Sequence, residues 1–333
     1  MPTPRISYEG RPLLDIASYA RKGPGRRDYL SPAEIELIAR TVNRAPEVMV
    51  KVLTRGGQDL GAVRRHLEYL DRKGELELET DDGQRLSGKG VERELLEDWD
   101  LDIEAVRRAP ALEARPGRSP PKLVHKVLFS MPPGTAPGNV LEAVKNFARE
   151  EFALKHRYAM VLHTDEPHPH VHMVIKAVSE QGVRLNIRKA TLREWRRDFA
   201  RHLRALGVPA NATERAVRGV KRSPKLDGIY RTDQRGESWH VRAHLKEVGN
   251  EMRLRGRIRS DPGKETLIET RQAVARGWRD VSEILAAQGQ RELAKAVAQF
   301  VGRMPPPETD REMIADEMAK HHRDARAREG PTR

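Results

Sequence analysis

The sequence predicts an α+β fold, a central antiparallel β-sheet covered by helices and followed by a mainly helical C-terminal region. Three observations predict it. RYAMVLHT and HVHMVIKAV are apolar, strand-like runs joined only by DEPHP, a connection short enough for an antiparallel pair and too short for a parallel crossover. Strand-like and helix-like patterns interleave from residue 46 to about 207. Beyond about 236 the pattern is almost wholly helical and heavily charged, with apolar positions at helical spacing over 267–302.

Residues 1–45 read as a basic N-terminal extension, because RKGPGRRDYLSP is rich in Gly, Pro and Arg. A helix starts inside it at SPAEIELIARTVNR, where Ser31 can cap, Pro32 takes the first helical position and Glu34 stands three residues after the cap. EVMVKVLTRGG is the first strand, ending at Gly56 and Gly57. DLGAVRRHLEYLDRKG is a helix closed by Gly74, with Leu60, Val63, Leu67 and Leu70 on one stripe. Tyr69 lies off that stripe, so the pattern does not force its burial. ELELETDDGQRLS alternates across an Asp-Gly turn and reads as a hairpin. A charged helix near 91–108 and a Pro-rich loop over 109–121 follow.

KLVHKVLFSMPPG is a strand ended by prolines, and NVLEAVKNFAREEFA is an amphipathic helix. The RYAMVLHT/HVHMVIKAV hairpin comes next, then the long basic helix TLREWRRDFARHLRALG, ending at Gly207. On that helix Trp195 reads as packing. The domains expected are therefore the extension 1–45, a sheet-bearing domain over 46–235 and a helical, charged region over 236–333.

The 333 residues carry 62 Lys+Arg against 49 Asp+Glu, a net charge of +13 and a pI near 10.0. A field of that sign favours a polyanion, of which nucleic acid is the commonest. There is no cysteine, which excludes disulfides, thiolate nucleophiles and Cys-based zinc fingers. No apolar run approaches the ~20 residues of a membrane span, and MPTPRISYEG lacks a signal-peptide core. The expected location is the cytoplasm, without membrane insertion. No GxxxxGK[ST] fragment is present, so no ATP site is expected.

The densest chemistry is HTDEPHPHVH, residues 163–172, which holds four of the twelve histidines. On a strand His170 and His172 point to one face, and a hairpin brings His163 beside them. Three imidazoles converging from two rigid strands suit a metal ion with open positions. Asp165 is placed to fix a ligand's tautomer through its other ring nitrogen. Exposed loop histidines are the bland alternative, which explains His168 better than the rest. Imidazole ligands alone favour Zn, Mn, Fe or Ni over Mg. One such ion on a basic protein suggests a clamp on a phosphate oxygen.

Tyr69 is one of six tyrosines, and its context EYL-x-RKG (Glu68, Tyr69, Leu70, Arg72, Lys73, Gly74) together with HTDEPHPHVHMVI strongly resembles the relaxases. These are the mobilisation nucleases of the HUH type, which nick DNA at a transfer origin, and the likeness is greatest to the T-strand border nuclease branch. FSMPPG, with Ser130, Pro132 and Gly134, resembles a second family motif, and ATERAVRG, near Arg215 and Arg218, a weaker one. The resemblance covers roughly 46–220, making 46–235 the expected relaxase domain with the HUH palm fold. It implies that Tyr69 attacks the scissile phosphodiester, with Asp165 a second member of the catalytic set. It further implies that His163, His170 and His172 hold a divalent metal, Mg or Mn in the family, and that Ser130 holds DNA. Arg64, Arg65, Arg72 and Lys73 flank the nucleophile and are candidates to grip backbone phosphates, as are Arg215 and Arg218.

The activity expected is site- and strand-specific nicking with a 5′-phosphotyrosyl link, followed by rejoining, at the start of conjugative transfer. The implied partners are single-stranded transfer-origin DNA, relaxosome accessory proteins and a type IV secretion coupling protein, with export through that channel attached to DNA. The basic tail, with Arg323, Arg326, Arg328 and Arg333, is a candidate transport signal. A rolling-circle replication initiator and a non-catalytic, metal-stabilised DNA scaffold are the alternatives. Tyr29 is the rival nucleophile, though a Gly/Pro arm positions a hydroxyl poorly.

Overall fold

The computed structural model describes residues 29–53, 57–106, 121–220, 239–255 and 258–329. The arm before residue 29, most of the Pro-rich loop and the last four residues, Arg333 of the basic tail among them, lie outside the described residues. The chain forms two compact units, one spanning 43–212 and the other joining the segment before 43 to everything after 212.

The first unit is built on a six-stranded antiparallel sheet. Its strands are β1 (Met49–Leu53), β2 (Leu78–Thr80), β3 (Arg85–Leu86), β4 (Val124–Ser130), β5 (Tyr158–His163) and β6 (His170–Lys176), in the order β1-β4-β6-β5-β2-β3. The expected hairpin is present as β5 and β6, with His163 directly opposite His170. Both faces of the sheet are covered, so its central strands are buried almost throughout and not simply alternating.

On one face lie α4 (Pro137–Phe152) and α5 (Lys189–Ala205), packed on Val50, Val127, Phe129, Met160, Val171, Met173 and Ile175. Trp195 is buried among Phe147 and Phe152 and donates its indole N–H to Glu151 at 2.9 Å, so it packs as the sequence indicates. On the opposite face lie α2 (Leu60–Leu70) and α3 (Val91–Asp98), over Val124, Ala159, Val161 and Val174. The apolar stripe of α2 is real: Val63, Leu67 and Leu70 are buried, and Asp59 caps the helix by accepting the Ala62 N–H at 2.7 Å. The charged helix expected near 91–108 is interrupted at the fully buried Trp99 and at Asp100, which has φ 49°, and resumes over 101–106. Burying that indole requires the chain to turn there.

In the second unit, α1 (Pro32–Val42) carries the predicted capping box: Ser31 N–H donates to Glu34 at 2.7 Å and Glu34 N–H to the Ser31 hydroxyl at 3.4 Å. Its Ile38, with Leu30, packs against Val274, Trp278 and Val281 of α7 (Lys264–Ala287) and Val297 of α8 (Arg291–Gly302). The Gln288 side-chain amide clamps Leu30 by bonding both its N–H (2.8 Å) and its C=O (3.0 Å). Helices α6 (Trp239–Arg255) and α9 (Asp310–Glu329) pack together, with Arg311 bridging Glu247 and Glu251. Among the described residues no helix is long and apolar enough to cross a membrane.

Candidate active site

The site is laid out by strand register. Ser130 ends β4, opposite His170 on β6, which in turn lies opposite His163 at the end of β5. These three form one row across the sheet. His172 lies two residues along β6, on the same face because side chains alternate. That face is the one covered by α2.

Ring nitrogens of His163, His170 and His172 lie within 4.8 Å of one another. His163 is buried, His172 nearly so and His170 partly exposed. Two of the tautomers follow from hydrogen bonds to carbonyls, which only accept. His163 Nε2–H donates to Leu70 O at 2.8 Å, and His170 Nδ1–H to His168 O at 2.9 Å. The other nitrogen of each ring therefore keeps its lone pair. Burial, then the charges of His163 and His170, push the His172 pKa down to about 3, and burial also lowers that of His163. His163 and His172 are thus held neutral at neutral pH, and the donor set and spacing of the triad fit a divalent cation.

Helix α2 delivers Tyr69 to this cluster. Its ring centroid is 6.4 Å from that of His163, and the residue remains half exposed. The chain then reverses sharply: Arg72 and Lys73 adopt φ 54° and 61°, and Gly74 has φ 91°. Asp71 stabilises the reversal by accepting the Lys73 N–H at 2.9 Å. Only glycine fits at 74, where a Cβ would stand 2.4 Å from the Gly88 carbonyl carbon. The reversal tucks Arg72 back against Tyr69. Its guanidinium lies 4.7 Å from the Tyr69 ring centroid, donates to Tyr69 O at 3.2 Å and approaches His163 Nδ1 at 3.4 Å.

Asp165 does not reach a histidine ring nitrogen, the role expected from its spacing. Two backbone carbonyls fix the tautomers, and the Asp165 carboxylate instead receives Arg72 at 2.5 Å. Burial works against the charged Asp165, yet the Arg72 bond and charge outweigh it and hold its pKa below the usual carboxylate range.

The remaining candidates are spread more widely. Ser130 is buried beside His170, its hydroxyl 3.4 Å from Met131 O. Arg64 pairs with Glu68 on the exposed side of α2, and Arg65 lies 4.0 Å from Asp59. Lys73 is exposed at the turn. Arg215, Arg218 and Tyr29 belong to the second unit. His125 faces away from the triad and bonds Leu185 O, while exposed His168 contributes its carbonyl.

Two residues at the site escape a reading of the sequence. His66, one helical turn before Tyr69, stacks on the Tyr69 ring (6.3 Å, 17°) and meets His172 edge-on at 6.3 Å. Its i, i+3 spacing from Tyr69 is the signal that could have found it. Lys126 is buried on the same sheet face, within a strand whose apolar neighbours make it look incidental.

Residues 69–207 match the family described as Relaxase: MobA/VirD2-like, nuclease domain. The chain is 26% identical over 197 residues to the T-DNA border endonuclease VirD2 of Rhizobium radiobacter, an alignment covering 54% of this chain and 44% of that protein. It is 25% identical over 220 residues to the protein of the same name from Agrobacterium fabrum, covering 59% of this chain and 46% of the relative. The aligned segment therefore spans less than half the length of either relative.

Proposed function

We propose, from the match of residues 69–207 to the MobA/VirD2-like relaxase nuclease domain, that the chain nicks one strand of a transfer-origin DNA by transesterification onto Tyr69. The Tyr69 oxygen attacks the scissile phosphorus, the bond from phosphorus to the 3′ oxygen breaks, and a 5′-phosphotyrosyl ester forms. The proton leaving the phenol is balanced by one taken up on the departing 3′ oxygen. One phosphodiester is exchanged for another, so the reverse reaction rejoins the strand without a nucleotide triphosphate.

A phenol of ordinary pKa ~10 is a weak nucleophile at neutral pH, so the target phosphate must be positioned and polarised. A divalent cation held by His163, His170 and His172 would supply a Lewis acid at a phosphate oxygen. The chain's own residues do the positioning. Arg72 is held by Asp165 against the face of Tyr69, which restricts the phenol to one side of the triad. Ser130, at the rim of the same row, is placed to bond a strand entering over β4. Arg64, Arg65 and Lys73 offer charge for the flanking backbone, and Arg215 and Arg218 are candidates for the same role. The nicking domain is the sheet-bearing part of the chain, within the span 46–235. Relaxosome proteins and a type IV secretion coupling protein are its proposed partners, with a cytoplasmic origin and export on the DNA.

The observation that carries this reading is the convergence of one tyrosine and three imidazoles. Incubation with a supercoiled plasmid bearing the origin, with and without EDTA, tests it. Metal-dependent relaxed product linked to protein supports a nicking enzyme; DNA binding without any such product supports a scaffold with structural histidines.

A further inference from the structure

The seam between α2 and β4 holds a cluster of nitrogen groups that the proposed reaction leaves unused. Lys126 sits mid-strand on β4, opposite Leu53 on β1 and Val174 on β6, and is only 5% exposed. Among the described residues no carboxylate or hydrogen-bond acceptor acts on its amine. Burial, then the charge of Lys122, push its pKa down to about 8. Near it is His66, whose Nε2 is buried without a hydrogen-bond partner and which feels the Lys126 charge. Lys122, partly exposed, stands four residues before Lys126 on the approach to β4.

Three nitrogen groups thus share one seam, and among the described residues none of them is paired with an acid. His66 Nε2 is buried without a partner, and an anion entering beside it would meet the Lys126 amine as well. The stem of Lys126 is buried while its head can turn toward a ligand in the seam. His66 connects the cluster to the reaction centre, since it touches both Tyr69 and His172.

We propose that Lys126 and His66, with Lys122 at the mouth, form a subsite for a DNA backbone phosphodiester flanking the one that Tyr69 attacks. The subsite rests on the reading of the chain as a nuclease acting on single-stranded DNA. It would fix the register of the strand, so that a single phosphate is offered to the phenol.

The test uses the full chain and a labelled single-stranded oligonucleotide, with Kd measured across a series of KCl concentrations. Removing one cation that neutralises a phosphate of a single strand lowers the slope of log Kd against log salt by about 0.7. Lys126→Met is expected to flatten the slope by that amount without lowering Tm, and Lys126→Arg to keep the wild-type slope. Lys122→Met, on the rim where folding is not at stake, should flatten it similarly. Lys155→Met, at an exposed position after α4, should leave it unchanged. A wild-type slope in both Lys126→Met and Lys122→Met overturns the subsite, as does equal flattening in Lys155→Met, which would show only a loss of net charge. If the wild-type chain itself shows no salt-dependent binding, the nuclease reading falls and the subsite with it.

Discussion

The ring of Tyr69 stands 6.4 Å from that of His163, inclined at 65°, although one residue closes a helix and the other ends a strand. The next carbonyl along the helix, Leu70 O, takes the His163 Nε2–H. The last carbonyls of a helix have no partner within it, and this one is satisfied by an imidazole of the triad. One helix end therefore both presents the phenol and sets the tautomer of a candidate metal ligand.

Replacing Tyr69 by Phe removes only an oxygen from a half-exposed ring, so folding and DNA binding should persist. Formation of the protein–DNA adduct should fall by about 10³-fold or more, as expected when a nucleophile is deleted. Gel shift and denaturing electrophoresis on the same sample check the two halves together.

Because His163 and His172 are held neutral and His170 stands beside them, a divalent ion should bind the folded chain and raise its Tm. At an ion concentration about 100 times Kd the gain is about 2.7 kcal/mol. His172→Ala should abolish that gain and EDTA should reverse it in the wild type. Titration with Mn and Mg, followed by thermal denaturation, reads this without reference to activity.

The Arg72–Asp165 pair is partly exposed, so its direct contribution to stability should be small, within about 0.5 kcal/mol. Its effect on nicking should be larger, since Arg72 also touches the Tyr69 ring and backbone. Arg72→Ala should slow adduct formation by roughly 10- to 100-fold, through misplacement of the nucleophile. Asp165→Asn should give a smaller loss in the same direction. Single-turnover nicking alongside denaturant midpoints separates the two quantities.

Much of this arrangement is legible in the sequence, and the parts that are not share a cause. Local periodicity reveals α2, because Val63, Leu67 and Leu70 fall on one side, and it reveals the His170/His172 face, because strands alternate. The short DEPHP link likewise dictates that His163 faces His170. Neighbours set by distant pairing leave no such trace. The sequence does not say that β4 inserts beside β6, which is what brings Ser130 to His170 and Lys126 beneath α2. Nor does it say that Ile38 of α1 packs against α7 and α8, far along the chain. Arg72 is visible as part of RKG, but its fold-back onto Tyr69 depends on two non-glycine residues at positive φ, which composition does not announce.

Stability should fall on mild acidification. Burial pushes His66 and His125 down to about 4 and His172 to about 3, below their unfolded value of 6.5. Between those limits the unfolded chain binds more protons than the folded one, so stability is full above the unfolded value and is lost as pH drops below it. Denaturation midpoints at about pH 7.5 and about pH 5 should differ accordingly. His125→Gln, away from the triad, should reduce that difference while leaving nicking intact.

The central claim is that Tyr69 becomes esterified to DNA beside the histidine triad. The most direct measurement is proteolysis of the covalent adduct, formed with a divalent ion on origin DNA, and mass spectrometry of the nucleotide-bearing peptide. The predicted result is a peptide containing Tyr69 joined to a 5′-phosphate, absent when EDTA is present. An adduct on Tyr29 or on any other side chain, or nicked DNA carrying no peptide at all, would contradict it.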